Sequence, residues 1–228
     1  MKYEQTIKGT FIRRLNRFIA EVQAGEKTER VHVKNTGRLK ELLVAGAEVG
    51  LEISSNPGRK TKYSLVSVKK GDRWVNIDSQ APNAVVYDAL MSGGIAELGP
   101  IRLLAREKAF GKSRFDLYYE GETEKGFMEV KGVTLEKDGV ALFPDAPTAR
   151  GTKHILELME AAKEGYGAVL FFLVQMGGCR AFSPNREMDP PFAEALSKAA
   201  KEGVKILAYD AFVTEDEMVI GQPVRVMI

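Results

Sequence analysis

The chain reads as a two-part α/β (α+β) protein, a small β-barrel over residues 1–82 followed by a mixed sheet flanked by helices over 83–228. Three observations predict this. Short strand-like segments with turn punctuation fill the first part, helices and strands alternate in the second, and net charge changes sign between them. Residues 1–80 hold 16 Lys and Arg against 9 Asp and Glu, a net charge of +7. The remainder holds 17 against 22, a net charge of −5. A basic module joined to an acidic one suggests a polyanion binder tethered to a unit with a different task.

In the first part, residues 11–22 mix apolar and Arg positions without helix period, and Arg30 to Lys34 alternates at period two. Further strands are expected at 48–53, 63–68 and 73–77. Asn35-Thr36-Gly37 is a turn, and Arg38 to Leu43 fits one short helix before Gly46. Five strands in about 80 residues suit an OB-like barrel, whose strand face and loops commonly hold nucleic acid. An SH3-like barrel fits the same count. Cations cluster where a phosphate backbone would be gripped: Arg13, Arg14 and Arg17 on the first strand, Lys34 and Arg38 flanking a turn, and Arg59, Lys60 and Lys62 in the loop that begins at Asn56. Such contacts supply affinity without sequence choice. Phe18, Tyr63 and Trp74 are aromatic groups able to stack bases, a role that competes with ordinary core packing.

Beyond Pro82, Asn83 to Leu90 is expected to be helical with Asn83 as its cap, and Ile101 to Phe110 to be a helix or a helix–strand junction. Strands at 114–120 and 126–133 flank the polar turn Gly121 to Glu124. A helix from Thr152 to Lys163 places Ile155, Leu158, Met159 and Ala162 on one face. The apolar run Ala168 to Val174 reads as a central strand covered on both sides. Asp189-Pro190 opens a helix to Lys201, and Val204 to Tyr209 adds a strand.

The chemistry concentrates in the hairpin. Glu129 and Lys131, two apart on a strand, project from one face about 6–7 Å apart. If Glu120 lies opposite Lys125, Asp116 falls opposite Glu129, with Cβ atoms about 4.5–5.5 Å apart. Two carboxylates that close repel unless a proton or a cation lies between them. A one-residue bulge would turn Asp116 to the other face. Asp116, Glu129 and the Val130 carbonyl form a candidate Mg²⁺ (or Mn²⁺) set, with Lys131 beside the scissile phosphate. An Asp followed by Glu-Val-Lys on a hairpin is similar to the PD-(D/E)xK nuclease core. Glu107 lies upstream where that fold often has a helical carboxylate, and His154, near a helix start, is a candidate phosphate contact.

Taken together, Gly-Thr-Phe-Ile-Arg-Arg-Leu-Asn-Arg-Phe, His-Val-Lys-Asn-Thr-Gly-Arg-Leu-Lys-Glu-Leu-Leu, Arg-Lys-Thr-Lys-Tyr-Ser-Leu, Gly-Lys-Ser-Arg-Phe-Asp, Glu-Val-Lys-Gly-Val-Thr-Leu and Phe-Pro-Asp-Ala-Pro-Thr-Ala-Arg-Gly-Thr-Lys-His resemble the sugar fermentation stimulation protein A (SfsA) family. The resemblance implies an N-terminal OB-type DNA-binding domain, a PD-(D/E)xK nuclease-like C-terminal domain, and an acidic site at Asp116, Glu129 and Lys131, with Glu107 plausible. Two functions follow: a Mg²⁺-dependent hydrolase of DNA phosphodiesters, or a non-catalytic DNA-binding regulator of sugar catabolism on a nuclease scaffold. RNA as the substrate is a third reading. No segment approaches the roughly 20 apolar residues of a membrane span, so a cytoplasmic protein is expected. Cys179 is the only cysteine, which rules out an intramolecular disulfide or a zinc–cysteine cluster. No oligomer is indicated.

Overall fold

A computed structural model describes residues 1–111 and 113–228; Lys112, inside the Gly-Lys-Ser-Arg-Phe-Asp segment, lies outside the described residues. The barrel is formed by β1 (Thr6–Arg14), β2 (Ile19–Ala24), β3 (Lys27–Val33), β4 (Glu48–Ile53) and β5 (Tyr63–Lys70), with β6 (Arg73–Asn76) paired to the free side of β5. Strand order β3-β2-β1-β4-β5 is closed by parallel pairing of β3 with β5 at His32↔Ser64 and Val33↔Leu65, the connectivity of an OB barrel. Closure leaves no free edge among the five strands. Alternate residues Ala20, Val22, Val31, Val33, Val49 and Leu51 are fully enclosed inside it.

Two local expectations fail here. Residues 11–22 are not one strand: they span a hairpin whose turn, Leu15–Phe18, places Arg17 off the first strand. The segment 38–43 forms turns rather than a helix, with Leu39 in the left-handed region (φ 49°). Leu39 and Leu42 are both buried in the barrel core, so tertiary burial decides the local conformation against helix propensity.

The second part begins with α1 (Ala81–Met91) and a single 3₁₀ turn (Ala96–Leu98). There follow β7 (Leu103–Phe110), β8 (Ser113–Glu120), β9 (Lys125–Val133), β10 (Leu135–Lys137), β11 (Val140–Phe143), α2 (Ala149–Lys163), β12 (Gly167–Val174), β13 (Ala181–Pro184), α3 (Pro190–Lys201), β14 (Lys205–Val213), β15 (Met218–Pro223) and β16 (Arg225–Val226). The main sheet has the order β15-β14-β12-β9-β8-β7, with parallel pairs at its centre and antiparallel pairs at both sides. A smaller sheet, β10-β11-β13-β16, lies beside it. Strand β12 is central and buried on both faces, as its unbroken apolar run predicts. One face of the sheet packs Leu170 and Phe172 with Ile155 and Leu158 of α2. The other packs Val169 and Phe171 with Val85 and Val86 of α1.

Helix α3 is capped as expected, Asp189 accepting from the Phe192 N–H at 3.1 Å. Its other carboxylate oxygen takes the Thr148 N–H at 2.7 Å, and Thr148 in turn caps α2 through Gly151 N–H. One aspartate therefore ties two helix starts together. Asn83 does not cap α1: the cap position is Gln80, and Asn83 sits in the first turn with its side chain engaged elsewhere.

The two parts are locked to each other. Asn76 donates to the Tyr3 hydroxyl, and Gln175 donates to Asn76 and to the Asp78 carbonyl, all buried. At Gly50 a Cβ would lie 2.5 Å from the Glu215 carbonyl oxygen, and neighbouring Ser67 donates its hydroxyl to that oxygen, so only glycine admits the approach. Met1 to Tyr3 run alongside residues 216–218 of the second part. No helix among the described residues is long and apolar enough to cross a membrane.

Candidate functional site

The hairpin of β8 and β9 closes in the expected register, Glu120↔Lys125 through Leu117↔Met128. The ladder then stops. Phe115 packs on the α2 side of the sheet and Leu117 on the α1 side, so side chains two apart face opposite ways and the strand is irregular at Asp116. Asp116 is therefore not a ladder partner of Glu129, as ideal pairing would have it. Its carboxylate fills the gap between the parting strands, accepting the Val130 N–H and the Asn83 side-chain N–H, each at 2.8 Å.

Glu129 is 3% exposed, on the face covered by α2. Its Oε1 accepts from Lys131 Nζ at 2.5 Å and is also in hydrogen-bond contact with His154 Nδ1 from α2. Its Oε2 is buried and has no hydrogen-bond partner. An ionised oxygen in that condition is costly, since burial removes water without replacing it. Burial alone would push the Glu129 carboxyl up, but contact with His154 and the Lys131 ammonium outweigh it and hold it below the ordinary glutamate range. Asp116 moves the other way: burial, then repulsion from Glu129, raise it against the opposing Val130 N–H, Lys131 and Asn83. Two carboxylates close enough to repel are thus held by the protein's own groups with one oxygen, Glu129 Oε2, left bare.

The other anticipated residues are placed as follows. Glu107 is on strand β7 rather than a helix, with φ 58° and an exposed carboxylate 2.7 Å from Arg114. Its backbone lies across from Asp116, between the Arg106↔Leu117 and Lys108↔Phe115 pairs. His154 is buried against Glu129, so its Nδ1 meets a carboxylate and not solvent. In the barrel, Arg14 is spent on backbone: its guanidinium donates to the carbonyls of Asn16, Arg17, Asn35, Gly37 and Arg38. Arg13 pairs with Glu21 at 2.7 Å, and Lys34 with Glu52 at 2.7 Å and Asp78 at 3.2 Å. Arg59 donates to Ser64 and Thr61. Arg17, Arg38, Lys60 and Lys62 are exposed.

Among the described residues no three His, Cys, Asp or Glu side chains converge as a metal set. Any cation here would rest on Asp116 and Glu129 with main-chain oxygen such as that of Val130. The buried, unpartnered Glu129 Oε2 beside a second carboxylate is a donor set of the hard-oxygen kind that suits Mg²⁺ or Mn²⁺. Asn83 is the member of the site that sequence reasoning misses. Its partner is 33 residues away, and nothing in a local pattern distinguishes it from a helix cap.

Residues 12–77 match the model of the SfsA N-terminal OB domain, and residues 80–217 that of the sugar fermentation stimulation protein RE domain. A sugar fermentation stimulation protein homolog of Alkaliphilus oremlandii is 52% identical over 231 residues, covering 99% of this chain and 98% of the relative. One from Clostridium botulinum strain Langeland is 52% identical over 223 residues, 97% of each chain. A structure of Pyrococcus furiosus SfsA in complex with Ca²⁺ superimposes with a TM-score of 0.91 at 30% identity, covering 100% of this chain and 98% of that one. With both of its domains matched in order and its relatives aligned from end to end, the chain belongs to the sugar fermentation stimulation protein (SfsA) family.

Proposed function

We propose that this protein is a Mg²⁺- or Mn²⁺-dependent nuclease that hydrolyses DNA phosphodiesters at Asp116, Glu129 and Lys131. The observation that carries the reading is the buried, unpartnered Oε2 of Glu129 next to Asp116, with a lysine held alongside. A divalent ion, when bound, supplies electrophilic stabilisation of the charge that develops on a phosphate under attack. The chain's own groups do the rest. Asn83 and the Val130 N–H fix the Asp116 carboxylate, and His154 fixes Glu129 Oε1. Lys131 is held by Glu129 within reach of an incoming phosphate, where its ammonium orients and neutralises oxygen. The Pyrococcus furiosus relative is described as a Ca²⁺ complex, which supports a hard-cation site of this type. The exposed cations Arg17, Arg38, Lys60 and Lys62 support a polyanionic substrate, with binding that weakens as salt rises.

A second reading, a DNA-binding regulator that does not cut, is favoured by one observation. Only two carboxylates converge here, and Glu107 is turned to solvent with Arg114. Incubating purified protein with plasmid and with single-stranded DNA in Mg²⁺ or Mn²⁺ separates the two. Cleavage that disappears in Asp116→Ala supports the nuclease; tight binding with no cleavage, indifferent to metal, overturns it. Competition with RNA then decides the polymer.

A further inference from the structure

Three concavities of the molecule share wall residues and so join end to end. The first, about 610 Å³, is walled by Arg59, Lys60 and Lys62 of the barrel's 54–62 loop and by Arg30 and one acid, Glu29, of β3. Through Arg59 it meets a second, about 340 Å³, lined by Phe18 and His32. Through Asn35, Thr36 and Ser79 that one opens into a cleft of about 910 Å³ between the barrel and the second domain. Arg17, Arg38 and Lys40 stand on its barrel side, and Gly132 and Thr148 on the other. Gly132 follows Lys131 directly and Thr148 caps the helix that carries His154, so the cleft reaches chain next to the carboxylate site, although Asp116, Glu129, Lys131 and His154 do not themselves line it. Among the described residues, none of Arg17, Arg38, Lys40, Arg59, Lys60 and Lys62 forms an ion pair with a carboxylate.

The middle of the track is aromatic. Phe18 is 50% exposed, and its ring lies 11° from the plane of His32 with centroids 6.5 Å apart, a laterally offset plate. The plate is held rigidly. The Phe18 N–H donates to Asn16 Oδ1, its carbonyl accepts from the Val33 N–H, and Arg14 donates to the carbonyls of Asn16 and Arg17, the two residues before it. Burial, then the charges of Arg59 and Lys34, lower the His32 pKa and keep its ring neutral at neutral pH. The other well-exposed aromatic among the described residues, Phe212, is 62% exposed but lines none of the three concavities.

We infer that this track holds a single-stranded nucleic acid, with phosphates along Lys60 and Lys62 at one end and Arg17, Arg38 and Lys40 at the other, and a base laid on the Phe18–His32 plate between. The inference rests on the nucleic-acid reading of the site and deepens it by naming the strand form. A duplex keeps its base faces stacked inside, whereas an unpaired base offers its face to an aromatic ring, and stacking of that kind is indifferent to sequence.

Fluorescence anisotropy on the full-length protein without divalent metal tests it. The probes are a labelled oligothymidylate, the matching oligouridylate and a mixed-sequence duplex of the same length. The single strand is expected to bind at least about 10-fold tighter than the duplex. Phe18→Ala should weaken single-strand binding by roughly 5- to 100-fold, the range of one lost base stack. Phe18→Trp should restore it, and Phe212→Ala should leave it unchanged. The tighter of oligothymidylate and oligouridylate identifies the sugar, and either supports the strand form. A duplex that binds tighter than both single strands, or Phe18→Ala with unaltered single-strand affinity, overturns this inference while leaving a nuclease acting on duplex DNA standing. No binding of any of the three overturns the nucleic-acid reading with it.

Discussion

Two glutamates in the second domain, the buried Glu129 on β9 and the half-buried Glu136 on β10, meet opposite fates. Glu136 is wholly satisfied: Lys70 and Arg73 of the barrel reach its Oε2 at 2.8 and 3.2 Å, and the Gly139 N–H reaches Oε1 at 2.6 Å. It is a bolt between domains. Glu129 has Lys131 and His154 on one oxygen, no partner on the other, and a second carboxylate for a neighbour. The contrast teaches that burial and charge alone do not mark a functional carboxylate; nor does an unpartnered oxygen, since Glu157 Oε2 is also buried without one, and Glu129 stands apart by combining it with a second carboxylate, Asp116, close enough to repel.

The sharpest way to break the comparison is to neutralise each glutamate in turn. Glu129→Gln should lower metal-dependent cleavage by more than about 100-fold, the scale on which even supporting partners of a metal site act, and should also lower the melting temperature because the Lys131 ammonium loses the carboxylate that holds it. Full cleavage in that variant would remove Glu129 from the site. Glu136→Ala should cost stability alone, roughly 1–3 kcal/mol in a urea unfolding curve through two unpaired cations of the first domain, with cleavage retained below the transition. Asn83→Ala, which frees one oxygen of Asp116, should reduce cleavage by about 10-fold and leave stability within about 0.5–1.5 kcal/mol of the parent.

The smallest effect is one of pH. The Lys70 ammonium, the Gly139 N–H and Arg73 hold the Glu136 carboxyl below the usual glutamate range. Its folded value is thus lower than its unfolded one, so its contribution is complete above the unfolded value of about 4.3 and is lost as pH falls through the folded value. Unfolding curves followed downward from neutral pH should steepen below about pH 4.3. In Glu136→Gln that part of the acid limb should flatten, and an unchanged limb would show that the domain contact does not titrate.

Several elements are legible directly in the residues. The strand expected at 48–53 is β4 to its end residues, the unbroken run Ala168 to Val174 gave the central strand, and Asp189-Pro190 gave the start of α3. These are signals carried within one segment. Missed were the hairpin within residues 11–22, whose turn at Leu15–Phe18 is braced by Arg14 contacts reaching to Arg38, and the turns at 38–43, whose leucines are drawn into the barrel. In both, the deciding contacts come from elsewhere in the chain.

The same division holds at the site. The amino-acid sequence determined which groups are available: an Asp, a Glu-Val-Lys on one strand, and a basic N-terminal module, because hairpin register and strand period follow from local pattern. Only the tertiary structure decided how they are used. It parted β8 from β9 so that Asp116 meets Asn83, laid His154 against Glu129, left Glu129 Oε2 bare, turned Glu107 outward, and consumed Arg14 and Lys34 inside the fold while leaving Phe18 open. Each of those outcomes is a pairing between residues distant in sequence, and hydrogen bonding, desolvation and charge act through space and not along the chain.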